Sequence, residues 1–213
     1  MSGMKSSGSL NIHEGLSQLG LDLPELAEAR FAAYLELLAK WNRVYNLTAV
    51  RDGGRMVIQH LLDSLAVLPY LGSPATLADV GSGGGLPGIP LAIARPEMAV
   101  TLIEANQKKA SFMTQVKIEL GLSNVSVHCG RVEDLKPILP FDAVISRAFA
   151  ELPLFVRVAG HLLASDAPLL AMKGVEPQTE MAQLPAGWRV VHVQPVVVPG
   201  LDAQRHLITI KRN

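Results

Sequence analysis

The spacing of hydrophobic positions changes character near residue 73. Before it, Phe31, Tyr34, Leu35, Leu38 and Trp41 recur at three- and four-residue intervals, which predicts an amphipathic helix from Asp22 to about Val44. Asp22 and Glu25 stand at capping-box spacing, and Pro24 suits a first helical turn. A second helix is predicted over residues 56–71. The stretch between, with Asn46, Thr48, Asp52, Gly53 and Gly54, reads as a loop. Residues 11–72 are expected to form a helical cap, and residues 1–10, rich in serine and glycine, a flexible leader.

After Gly72-Ser73-Pro74, short aliphatic and β-branched runs alternate with helical segments, the punctuation of an α/β fold over residues 73–213. Strands are predicted near 76–80, 99–104, 124–129, 141–146, 167–172, 188–198 and 206–212, with helices near 87–94, 107–120, 151–163 and 176–183. Asn106 can cap the helix that follows it and Gly121 can end it. Only residues 199–204 separate the last two strands, too few for a parallel crossover, so these two should pair antiparallel. The expected sheet has about seven strands, parallel except for a C-terminal antiparallel hairpin.

Composition narrows the possibilities. With 49% hydrophobic and 18% charged residues, the 213-residue chain can bury a sizeable core. No apolar run reaches the roughly 20 residues that span a bilayer, and no secretory pattern opens the chain, so a cytoplasmic protein without membrane contact is expected. A single cysteine, Cys129, excludes an intramolecular disulfide and a cysteine zinc cluster, and is expected to be a buried thiol; no metal is expected. Nineteen basic residues balance nineteen acidic ones, so nothing in the net charge attracts a polyanion.

The chemistry centres on Asp79-Val80-Gly81-Ser82-Gly83-Gly84-Gly85-Leu86-Pro87-Gly88, where an apolar strand runs into a glycine turn and then a helix. Such turns let backbone amides approach a nucleotide cofactor. The Gly-Lys-Ser/Thr of a phosphate-binding loop is absent. Gly83, Gly85 and Gly88 formally match the dinucleotide fingerprint, but in the register that starts at Gly81, Leu86 takes the third glycine's place. Glu104, at the end of the second predicted strand, is placed to accept ribose hydroxyls. These residues imply an adenosyl cofactor and leave NAD and S-adenosylmethionine both open, though the terminal hairpin is typical of class I methyltransferases.

The motif Gly81-Ser82-Gly83-Gly84-Gly85-Leu86-Pro87-Gly88-Ile89-Pro90, with Arg131-Val132-Glu133 and Ser146-Arg147-Ala148-Phe149-Ala150, closely resembles the bacterial RsmG (GidB) family. So do Trp41-Asn42, Asn46-Leu47-Thr48 and His60-Leu61-Leu62-Asp63-Ser64. The resemblance implies S-adenosylmethionine-dependent methylation, with S-adenosylhomocysteine as product, at N7 of guanine 527 in 16S ribosomal RNA, within the small subunit or its precursor. It implies that Asp79, Gly81, Gly83, Leu86 and Glu104 hold the methionine and ribose side of the cofactor, that Val132 and Glu133 flank the adenine, and that Arg147 sits at the cofactor and guanine site, contacting the cofactor and positioning the guanine. A monomer is expected.

Guanine N7 carries a lone pair and no proton, so its methylation calls for positioning and no general base. The sequence agrees: the Asp/Asn-Pro-Pro-aromatic motif of exocyclic-amine methyltransferases is absent after the fourth strand, and Cys129 lies on the third strand, away from where a C5-cytosine enzyme needs its nucleophile. For RNA contact the sequence offers Arg51, Arg55 and Asn46, in a loop that also holds Arg43 and Tyr45, together with His60, Lys173 and Arg205. Lys108 and Lys109 read as a solvated helix face. An NAD-dependent oxidoreductase and a non-catalytic nucleotide-binding module are the alternatives.

Overall fold

The structure, a computed structural model, describes residues 10–213; the expected leader, apart from Leu10, lies outside them. The first element was not expected from the sequence. Helix α1 (Ile12–Leu19) is closed at its start by a capping box, Asn11 Oδ1 accepting from the Glu14 N–H at 2.9 Å while the Glu14 carboxylate accepts from the Asn11 N–H at 3.1 Å. Helix α2 (Ala27–Tyr45) begins later than expected. The chain turns at Pro24, whose carbonyl accepts from the Ala27 N–H, so the Asp22–Glu25 capping box does not form and both side chains stay exposed.

The second expected helix is broken into pieces. Asp52 Oδ1 accepts from the Arg55 N–H and opens α3 (Gly53–Met56), a π-helical segment follows at Val57–Leu62, then α4 (Asp63–Leu65), and a 3₁₀ turn at Leu68–Tyr70 accommodates Pro69. Among the described residues no helix is long and apolar enough to cross a membrane.

Seven strands form one sheet: β1 (Thr76–Val80), β2 (Ala99–Glu104), β3 (Val125–Cys129), β4 (Ala143–Arg147), β5 (Leu169–Lys173), β6 (Trp188–Pro195) and β7 (His206–Arg212). Their spatial order is β3-β2-β1-β4-β5-β7-β6; the first five are parallel, and β7 lies antiparallel between β5 and β6. The parallel α/β sheet with a C-terminal antiparallel hairpin, expected from the sequence, is what forms. Strand β1 continues to β2 on one side and pairs with β4 on the other, so the order reverses at its C-terminal end, where open α/β sheets bind ligands. Register brings Val80, Glu104 and Arg147 to that same edge.

The helices α5 (Gly88–Ala94), α6 (Gln107–Glu119), α7 (Leu152–Ala159) and α8 (Gln178–Ala182) complete the layers. On one face of the sheet, Phe31, Tyr34, Leu38, Leu61 and Leu62 of the N-terminal helices share a continuous core with Leu91 and Phe112 of α5 and α6. Each such fully buried side chain contributes about 1.5–3 kcal/mol through removal of apolar surface from water, which is why these helices stay docked on the sheet. The opposite face packs on α7 through Phe155, Val156 and Ala159.

The connection from β6 to β7 is longer than expected because β6 stops at Pro195. Val196 and Val198 turn into the core of the N-terminal helices, and Gly200 packs so closely on Leu10 and Ile58 that a Cβ there would clash. This connection straps the N-terminal helices to the sheet.

Candidate active site

Beyond Val80, Gly81 adopts φ 71° and turns the chain. The N–H groups of Gly81 and Ser82 donate to the Ile103 carbonyl at 2.9 and 3.2 Å, that of Gly83 to Glu104 Oε2 at 2.9 Å, and those of Gly85 and Leu86 to the Ser82 carbonyl at 2.8 and 2.9 Å. These amides are therefore spent within the protein, which corrects the expectation that the turn offers them to a ligand. The start of α5 is closed in the same way. The Gly88 N–H donates at 2.9 Å to Asp79 Oδ2, and a Cβ on Gly88 would lie 2.7 Å from that oxygen, so glycine is required for the approach. A turn and helix start sealed by a buried carboxylate do not suit the pyrophosphate of a dinucleotide.

Asp79 is fully buried, and its Oδ1 has no partner among the described residues. Burial pushes its carboxyl up to about 7, against the opposing effect of the Gly88 N–H. The residue therefore braces the turn from beneath; Leu86, also buried, belongs to the core below the turn. Tyr34, read from the sequence as core alone, holds the turn from the other side: its hydroxyl donates to the Gly84 carbonyl at 2.6 Å. Burial raises the Tyr34 phenol well above its ordinary value.

Above the turn lies a cleft of about 280 Å³ lined by Val80, Gly81, Glu104, Val132, Glu133 and Phe149, among others. The Glu104 carboxylate accepts from Gly83 N–H through Oε2 and from Asn106 N–H through Oε1, at 2.9 and 2.8 Å. Each oxygen keeps acceptor capacity for a further donor such as a hydroxyl. Apolar Val80, Ile103 and Val132 beside this fixed acceptor suit an adenosine better than a small polar ligand.

A second cleft, of about 360 Å³, meets the first at Ala148, which lines both and holds φ 53°. Here the structure gathers Arg147, His60, Lys173 and Arg205 from four separate parts of the sequence. Arg147 Nη1 donates to the Gln59 carbonyl at 2.8 Å and to Asp63 Oδ2 at 3.0 Å; Arg205 Nε donates to Asp63 Oδ1 at 2.7 Å. Lys173 is less available than expected, since its ammonium donates to Glu180 at 2.8 Å and to the Ala150 carbonyl at 3.0 Å. His60 pairs through Nε2 with Thr48 Oγ1 at 2.8 Å, and Nδ1 has no partner among the described residues. Burial and then the Arg147 charge lower His60 from 6.5 to about 4, which keeps the imidazole neutral.

Other sequence expectations fall elsewhere. Asn46, Arg51 and Arg55 remain exposed outside both clefts, Asn46 closing α2 at φ 51° and accepting from Arg51 Nη2 at 3.1 Å. Lys108 stands over the Tyr45 ring at 5.9 Å, and Lys109 lines the first cleft, so neither is simply solvated. Cys129 is exposed, contrary to the expected buried thiol; it ends β3, one of the two edge strands of the sheet. Nothing in the sequence pointed to Gln59, whose carbonyl steadies Arg147, or assigned a role to Phe149 of the Ser146–Ala150 motif, whose ring packs where a Cβ on Gly81 would otherwise sit.

Residues 27–208 match the sequence profile of the family described as rRNA small subunit methyltransferase G. The chain belongs to this family. It is 60% identical over 206 residues to the protein named ribosomal RNA small subunit methyltransferase G from Aromatoleum aromaticum, spanning 95% of this chain and 98% of that protein. The protein of the same name from Neisseria meningitidis is 50% identical over 94% of this chain and 97% of its own length. Among solved structures, the O-methyltransferase TomG from Streptomyces achromogenes in complex with SAM matches at TM-score 0.59 and 18% identity, covering 93% of this chain and 95% of its own. A SAM-dependent methyltransferase from Aquifex aeolicus matches at TM-score 0.56 and 20% identity over 81% of this chain and 97% of its own. The protein is a methyltransferase, and its family membership overturns the oxidoreductase and non-catalytic alternatives.

Proposed function

We propose that this methyltransferase uses S-adenosylmethionine to methylate N7 of guanine 527 in 16S ribosomal RNA, acting as a cytoplasmic monomer on the small subunit or its precursor. The observation that carries the reading is the second cleft's lack, among the described residues, of a competent base. His60 has a pKa of about 4 and its Nε2 engaged by Thr48, and both oxygens of Asp63 are taken by arginines. An acceptor atom that must lose a proton is poorly served here; guanine N7, with a free lone pair, needs none removed.

The residues divide the work. Glu104 would hold the ribose hydroxyls, Val132 and Glu133 would flank the adenine, and Gly81, with Gly83 and Asp79 supporting the turn, would shape the methionine side. When bound, S-adenosylmethionine supplies an electrophilic methyl group on a sulfonium. Arg147 retains donors on Nε and Nη2 without protein partners among the described residues, and these suit the O6 edge beside N7. Exposed Arg51 and Arg55 would contact surrounding RNA.

Incubation with methyl-labelled S-adenosylmethionine and small subunits lacking the modification, followed by mapping of the labelled nucleotide, tests the assignment. Label at N7 of guanine 527 is the expected outcome. Label on another base, on protein or on a small molecule would reject it.

A further inference from the structure

Asp63 lies between two guanidinium groups brought from the end of β4 and from the strap before β7, with 4% of its side chain exposed. Arg147 and Arg205 are themselves only 19% and 26% exposed, so water screens the cluster poorly. One carboxylate against two guanidiniums leaves a single positive charge on the wall of the second cleft. Without the carboxylate there would be two. Lys173, the other cation on that wall, is already matched by Glu180.

The Arg147 charge reaches beyond its own cleft. It acts on His60 on the acceptor side, on Asp79 beneath the glycine turn and on Tyr34 behind it. The guanidinium that Asp63 holds is thus coupled to groups on both sides of the site.

We propose that Asp63 is the positioning and charge-balancing residue of this site, fixing both arginines while cancelling one of their charges beside a reaction whose participants are cationic throughout. The inference rests on the methyl-donor and guanine-N7 reading above. In that reaction N7 gains a bond to the methyl carbon as the carbon–sulfur bond breaks, no proton moves, and the positive charge passes from sulfur to the purine ring. Donor binding, transfer and the methylated product are all opposed by excess positive charge on the cleft wall. Arginines are still needed there to donate to the base, and a shared carboxylate reconciles the two demands.

S-adenosylmethionine and S-adenosylhomocysteine differ by one methyl group and one positive charge, so the ratio of their affinities reads local charge. A merely loosened pocket would move both affinities together. Calorimetry on the full chain should show Asp63→Asn losing affinity for S-adenosylmethionine by about fivefold or more, with affinity for S-adenosylhomocysteine within about twofold of the original. Arg205→Gln should shift the ratio the opposite way, and the double variant, whose formal charge equals the original, should restore it. The Arg205→Gln arm decides the matter alone if thermal melting shows Asp63→Asn unfolded. An unchanged ratio in the folded variants would overturn the charge-balancing role. Failure of the unaltered protein to bind either ligand would instead overturn the methyl-donor reading.

Discussion

Asp79 and His60 are buried groups that the fold pushes in opposite directions, and their pH effects on stability should partly cancel. His60 falls to about 4 in the folded protein, so its neutral form is favoured; that contribution is full above pH 6.5 and is lost as pH falls toward 4. Asp79 rises to about 7, so its protonated form is favoured; that contribution is full below pH 3.8 and is lost as pH rises through 7. Denaturant titrations should show His60→Gln gaining stability relative to the unaltered protein as pH falls from 6.5 to 4, by up to about 3 kcal/mol. Asp79→Asn should gain relative stability as pH rises from 4 to 7. Parallel curves for variants and original would contradict the assignment. Gly88→Ala forces a methyl group against Asp79 and Leu102, and should lower stability by about 1–3 kcal/mol while weakening cofactor binding in calorimetry. Glycine turn and Glu104 were legible in the sequence, since strand, turn and strand-end acid follow at short range. The Asp63 clamp was not, because its two arginines lie 84 and 142 residues away.

The helix-forming pattern of residues 56–71 was legible as one element, yet the chain makes α3, a π-helical segment and α4 of it. Hydrophobic spacing reports which side is buried, and it does not register a local widening driven by contacts elsewhere. Those contacts are specific: the Gln59 carbonyl meets Arg147, and His60 and Asp63 line the second cleft. Helix α1 was not expected, although Ile12, Leu16 and Leu19 recur at helical spacing and Asn11 and Glu14 carry the capping signal. In α2 the apolar face was legible, whereas the hydroxyl of Tyr34 reaching the glycine turn 50 residues away was not. Tyr34→Phe leaves the buried Gly84 carbonyl without this partner. Urea unfolding followed by tryptophan fluorescence should show a loss of about 1–3 kcal/mol, with weaker cofactor binding as the turn loosens. Unchanged binding would confine Tyr34 to a packing role.

At the scale of the whole molecule, the sheet's reversal at β1 sets two clefts side by side, and the N-terminal helices and the strap close the second. Sheet and hairpin were legible because each strand is a local pattern and the last connection, though longer than expected, is still too short for a parallel crossover. That the two clefts meet at Ala148 depends on three-dimensional closure, for which no local signal exists. Arg51 and Arg55, exposed beyond the clefts, should act on RNA alone: reversing both to Glu is expected to weaken binding of small subunits and leave cofactor affinity unchanged. On the proposed reading, the acceptor side works by position and charge, without a base. Single-turnover methyl transfer to small subunits, at saturating cofactor and enzyme, tests it most directly. The rate constant should stay level within about twofold from about pH 6 to 8.5, whereas a tenfold rise per pH unit anywhere in that range would reveal a titrating base and contradict the base-free reading.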